Sequence, residues 1–101
     1  MKQMVLAFIA GSCLASAAWA GSAMQGEKLF NDPALGSNGK TCATCHAEGR
    51  DLEYVGLAAD EDLRESTNMC IRKAMKGEPL ADDDPRMAAL IAYMRSLAPP
   101  Q

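Results

Sequence analysis

Residues 42 to 46 read Cys42-Ala43-Thr44-Cys45-His46. Two thiols separated by two residues and followed at once by an imidazole can support three kinds of chemistry. Each thiol can form a thioether with one vinyl group of haem, while the adjacent histidine takes the iron from the proximal side. The same thiols can form half of a zinc site, which Cys70 would complete as a Cys₃His set with Cys42, Cys45 and His46. They can also cycle as a thiol–disulfide pair. That last use belongs near a βαβ pattern, and the sequence has none. Haem is preferred to zinc because both the start of the chain and the segments around the motif agree with it.

The start of the chain carries an export signal. Lys2 precedes the apolar run Met4-Val5-Leu6-Ala7-Phe8-Ile9-Ala10, and small residues then lead to Ala18-Trp19-Ala20. This is the three-part order of a secretory signal peptide, so residues 1–20 are expected to be removed and the rest to reach the periplasm. The apolar run is too short to span a bilayer, and no transmembrane segment is expected in the mature chain. Cys13 follows Ala10-Gly11-Ser12, which lacks the branched residue expected of a lipoprotein site. Covalent haem attachment takes place outside the bacterial cytoplasm, so motif and export signal support each other.

Cleavage after Ala20 leaves 81 of the 101 residues, one small domain. A chain of that size buries little apolar surface and usually needs a metal, a disulfide or another staple. Phe30, Tyr54 and Tyr93 are its only aromatics. A covalently held haem would supply the missing core, and the apoprotein is expected to be largely unfolded. The whole chain has 13 acidic and 10 basic residues for a formal net charge of −3. With no basic stripe to neutralise phosphates, nucleic acid is excluded as a partner.

Helices must position the motif. Ser22 to Phe30 reads as a short helix capped by Ser22, with Gly26, Leu29 and Phe30 on one face and Asn31-Asp32-Pro33 as its stop. A Gly- and Asn-rich loop, Ala34 to Lys40, delivers the chain to Cys42. The stretch Ala47 to Asp51 is again loop-like, with Arg50 a solvated residue or a partner for a haem propionate. Leu52 to Leu57 reads as extended or as a loop packed on the haem edge. Asp60-Glu61-Asp62 opens a longer helix that ends at Gly77 and Pro79. Its inward stripe is Leu63, Thr67, Cys70, Ile71 and Ala74, and Met69 points outward. A last helix begins at Pro85 after Asp82-Asp83-Asp84 and runs to about Leu97, with Met87, Leu90, Ile91, Met94 and Leu97 inward.

Gly26 and Phe30 in a first helix, Cys42 to His46, and Leu90-Ile91-Ala92-Tyr93-Met94-Arg95-Ser96-Leu97 in a last one occur in the order seen in class I cytochromes c, which the mature chain resembles over nearly all its length. The resemblance implies an all-α fold of three main helices around one covalently attached haem c. It also implies that the first and last helices cross, with Gly26 close to the helix of Tyr93. A narrower resemblance covers Asn68-Met69-Cys70 through Leu80 and Pro85 through Tyr93. These segments are similar to the haem domains of thiosulfate dehydrogenases and sulfur-oxidation haem subunits. There the cysteine of the Asn-x-Cys segment is the distal iron ligand, the position of Cys70 here.

His46 is the sole histidine, so two histidines of one chain cannot flank the iron. Cys70 has a second argument: with Cys42 and Cys45 used and Cys13 removed, it is left without an intramolecular partner in an oxidising compartment. Ligation, an inert buried thiol and a disulfide to another chain remain open for it. Met75 and then Met87 are the alternatives. Methionine would raise the potential and thiolate would lower it. The leading functional expectation is single-electron transfer between protein redox partners, with no catalytic residue. The alternatives are a haem subunit of a sulfur-compound-oxidising enzyme and a small-gas sensor.

Overall fold

A computed structural model describes residues 22–99, which are mostly helical with no strand among them. The expected signal peptide, residues 1–20, lies outside the described residues. Four α-helices follow in order: α1, Ser22–Phe30; α2, Cys42–Cys45; α3, Asp60–Met69; and α4, Pro85–Ser96. Short 3₁₀ turns at Pro33–Leu35, Ala47–Gly49 and Val55–Leu57 link them, and α3 runs on into a π turn at Cys70–Ala74. The three main helices are α1, α3 and α4, and the chain is all-α over the described residues. Among those residues no helix is long and apolar enough to cross a membrane.

The packing of α1 on α4 frames the molecule. Gly26 and Phe30 are the buried residues of α1, and Met87, Ala89, Leu90, Tyr93 and Met94 those of α4. At the crossing, a Cβ on Gly26 would collide with the Ala89 carbonyl and lie 2.7 Å from Tyr93 Cβ. Only glycine lets the two backbones approach this closely. One turn on, the Phe30 and Tyr93 rings meet with centroids 5.1 Å apart at 57°, a tilted arrangement that aromatic quadrupoles favour. Burial pushes the Tyr93 hydroxyl pKa upward, with Glu27 and Glu48 adding to the effect.

The ends of the helices follow local chemistry. Asp84 caps α4 by accepting the Arg86 N–H, and Pro85 occupies the first turn, where its missing N–H costs nothing. Asp60, Glu61 and Asp62 fill the first turn of α3 as expected, but Ala59 precedes it with no side-chain cap. Ser22 is the first helical residue of α1 rather than its cap. The expected single helix from Asp60 to Gly77 is also corrected. Its α-helical part stops at Met69, and five residues follow with i to i+5 bonding, closed by the Met75 N–H donating to the Cys70 carbonyl at 3.1 Å.

Two side chains hold the segments between helices. Arg95 donates to the Gly56 carbonyl at 2.9 Å and the Ala58 carbonyl at 3.2 Å, and it pairs with Asp60. Asn68 grips Leu80 from both sides, accepting its N–H at 2.7 Å and donating to its carbonyl at 2.9 Å. Leu63, Ile71, Met75, Met87 and Leu90 are the most deeply buried large side chains.

Candidate functional site

A cavity of about 230 Å³ opens between the α1–α4 frame and the motif. Its lining is apolar where Phe30, Leu52, Val55, Leu90 and Met94 contribute. Thr41, Cys42, Cys45 and His46 form one wall; Ser66, Thr67, Cys70, Ala74 and Met75 form the other.

The first wall is built locally. Thr41 and Thr44 cap α2 reciprocally: the Thr41 hydroxyl accepts the Thr44 N–H at 3.2 Å, and the Thr44 hydroxyl accepts the Thr41 N–H at 2.8 Å. On the resulting turn, residues three apart share a face, so Cys42 and Cys45 present their thiols to the same side. The next backbone N–H, that of His46, donates to the Cys42 carbonyl at 3.1 Å and fixes where the imidazole begins.

The imidazole is oriented by its own loop. His46 Nδ1 lies 2.9 Å from the Arg50 carbonyl oxygen. A carbonyl can only accept, so Nδ1 carries a proton, and in the neutral ring Nε2 is the nitrogen with the lone pair. The loop that offers this carbonyl holds two side-chain-bearing residues in left-handed conformations, Glu48 at φ 57° and Asp51 at φ 70°. Such conformations cost free energy and persist where the surroundings enforce them. It is thus the Arg50 backbone that serves the site, while its side chain is exposed.

The second wall carries two sulfur atoms. On an α-helix, residues five apart point about 140° away from each other. The π turn accommodates one more residue per turn, which brings Met75 back toward the side of Cys70, and both line the cavity. Cys70 is open to solvent, whereas Met75 is only 1% exposed. Met75 Sδ lies 4.0 Å from Cys42 Sγ across the cleft. Met69 is outward-facing and 44% exposed.

Met87 is placed elsewhere. It is buried in the core and does not line the cavity, so the structure does not bring it to His46. Met94 does line it, although helical spacing alone marks both as core. Thr41 and Thr44, Asn68 and the Arg50 carbonyl also escaped the reading of the sequence. The Thr-x-x-Thr spacing was the one visible signal among them.

Burial, reinforced by Cys70 nearby and partly offset by a backbone hydrogen bond, pushes the Cys42 thiol up to about 11. It is therefore protonated at neutral pH in the absence of a bound group. Among the described residues, no three His, Cys, Asp or Glu side chains converge closely enough to hold a metal ion. The donors are spread round an apolar slot, an arrangement that fits a flat apolar ring attached along one edge better than a bare ion. Compared with family models, characterised proteins and solved structures, the chain matches none.

Proposed function

We propose that this chain is an exported monohaem c-type cytochrome that passes single electrons between protein partners. One observation carries the reading: two thiols on one face of a capped turn precede an imidazole whose Nδ1 proton is held by the Arg50 carbonyl, all facing an apolar cleft. Cys42 and Cys45 would hold haem c through thioethers, and His46 Nε2 would be the proximal ligand. When bound, the haem supplies the one-electron couple.

The remaining work belongs to the protein. The Arg50 carbonyl prevents the imidazole from rotating and makes it a stronger donor. Phe30, Leu52, Val55, Leu90 and Met94 exclude water, which limits the charge reorganisation that accompanies each electron. Cys70 and Met75 are the distal candidates, with Met87 disfavoured by its burial away from the cleft. A second reading, a haem subunit of a sulfur-compound-oxidising enzyme, is favoured by the exposure of Cys70 within the cleft.

The test is the absorption and low-temperature EPR spectrum of the ferric protein, produced with haem-maturation machinery, beside Cys70→Ser and His46→Ala. Haem bands are expected, and their absence from the wild-type protein sinks the reading. A low-spin thiolate signature lost in Cys70→Ser assigns the distal side to that residue. A methionine-to-iron charge-transfer band that survives the substitution assigns it to a methionine, with Met75 the first to be replaced and Met87 the second. Turnover of thiosulfate with an artificial acceptor separates the second reading from the first.

A further inference from the structure

The last carbonyls of a helix have no partner within it and need one outside. At the end of the π turn, three consecutive carbonyls find theirs in one short loop. Asn38 Nδ2 donates to the Ala74 carbonyl at 3.0 Å, and the Ser37 backbone N–H donates to that of Met75 at 2.9 Å. The Ser37 hydroxyl donates to the Lys76 carbonyl at 2.5 Å. Lys76 itself sits at φ 56°, a left-handed conformation where glycine is the usual occupant.

The two backbones are in direct contact here. A Cβ on Gly36 would collide with the Met75 carbonyl and lie 2.6 Å from Met75 Cβ. Asn38 faces both ways, because its Oδ1 accepts the Lys40 N–H at 3.1 Å just before Thr41 begins the capped turn of Cys42. The loop leading to one wall of the cleft therefore grips the other. A second cavity borders the contact, lined in part by Gly36, Ser37, Lys76 and Gly77, and it leaves space beside the gripped segment.

We propose that Ser37 and Asn38 are positioning residues, a clasp that keeps the segment from Cys70 to Met75 closed across the cleft and so resists entry of outside ligands. The proposal rests on the haem reading given above. Both distal sulfur candidates ride on this segment, so a ligand approaching the face opposite His46 must displace it. Displacement breaks the clasp, and each bond removed should make entry easier by about fivefold, the net worth of one hydrogen bond.

The experiment titrates the ferric haem protein with imidazole. Asn38→Asp keeps the shape and the bond from Lys40 but replaces the amide donor with an oxygen that repels the Ala74 carbonyl; imidazole is expected to bind about tenfold more tightly. Ser37→Ala should tighten binding about fivefold, and Ser37→Thr, which retains the hydroxyl, should return it toward wild type. Asp84→Ala removes a helix cap that bonds neither Ser37 nor Asn38, although its partner Arg86 lines the second cavity; it should lower the denaturation midpoint without changing imidazole affinity. Amide hydrogen exchange over residues 70–77 provides a readout that does not depend on haem, and Asn38→Asp should accelerate it while Asp84→Ala does not.

Wild-type imidazole affinity in Asn38→Asp overturns the clasp, as does a gain in Asp84→Ala proportional to its lost stability. Unchanged exchange in Asn38→Asp overturns it whatever the spectra contain. A wild-type protein without haem bands but with accelerated exchange in Asn38→Asp sinks the haem reading and leaves Ser37 and Asn38 as positioning residues of the segment.

Discussion

The two walls of the cleft are held in opposite ways. Around Cys42, Cys45 and His46 the bonds span three or four residues: Thr41 with Thr44, His46 N–H with Cys42, and His46 Nδ1 with Arg50. Around Cys70 and Met75, apart from the bonds within the helix and its π turn, they span 12 to 39 residues, from Asn68 to Leu80 and from Ser37 to Lys76. Closing a long loop costs more chain entropy than closing a short one. The bonds that shape the wall bearing the motif are therefore supplied by its own sequence, whereas the placing of the segment from Cys70 to Met75 against the cleft depends on the rest of the chain.

The contrast can be broken most severely at the frame both walls share. Gly26→Val drives a branched side chain into the Ala89 backbone and should destabilise the protein by about 3 kcal/mol or more. Denaturant titration should record the loss, and hydrogen exchange should find both walls opened together. Asn68→Ala acts on one wall. It strands the Leu80 N–H and carbonyl and should cost about 2 kcal/mol, with faster exchange near Leu80 and unchanged exchange at His46. Thr41→Ala removes the side-chain half of the α2 cap and should cost about 1 kcal/mol, with the exchange pattern reversed.

The smallest effect lies outside both walls and sharpens the comparison as a reference. Hydrogen bonds from Arg86, first through its side chain and then its backbone, hold the Asp84 carboxyl below the usual aspartate value. Its folded-state pKa is lowered, so its contribution is present above the unfolded value of 3.8 and is lost as pH falls through the folded one. Melting temperatures of wild type and Asp84→Asn should converge below that pH. The convergence should be slight, since the Arg86 side of the pair is open to solvent.

The same contrast explains what could be read in the sequence. Asp84-Pro85 marked the start of α4, Asp60 to Asp62 that of α3, and Cys42 to His46 the first wall, because each signal is local. The second wall was legible only in part. Residues 70 to 74 contain ordinary helix-forming side chains, so nothing in Cys70-Ile71-Arg72-Lys73-Ala74 announces a π turn. Asn68 stands out in the sequence only as the first residue of the Asn-x-Cys segment, and its bonds to Leu80 exist only in the fold. Glu48, Asp51 and Lys76 carry no sign of their left-handed backbones. Met87 and Met94 are seven residues apart and share a helical face, and periodicity says nothing about which lies along the cleft and which beyond it.

A π turn is equivalent to one residue inserted into an α-helix. Between Met69 and Gly77 the chain therefore has an adjustable length, and removing a single residue would return it to α-helical register. The turn already absorbs the extra residue, so everything downstream would keep its place while the residues of the turn itself shift round by up to about 100°. For protein engineering, this is a site where a one-residue deletion, with every sulfur atom retained, should keep Cys70 and Met75 on the same face of a now regular helix.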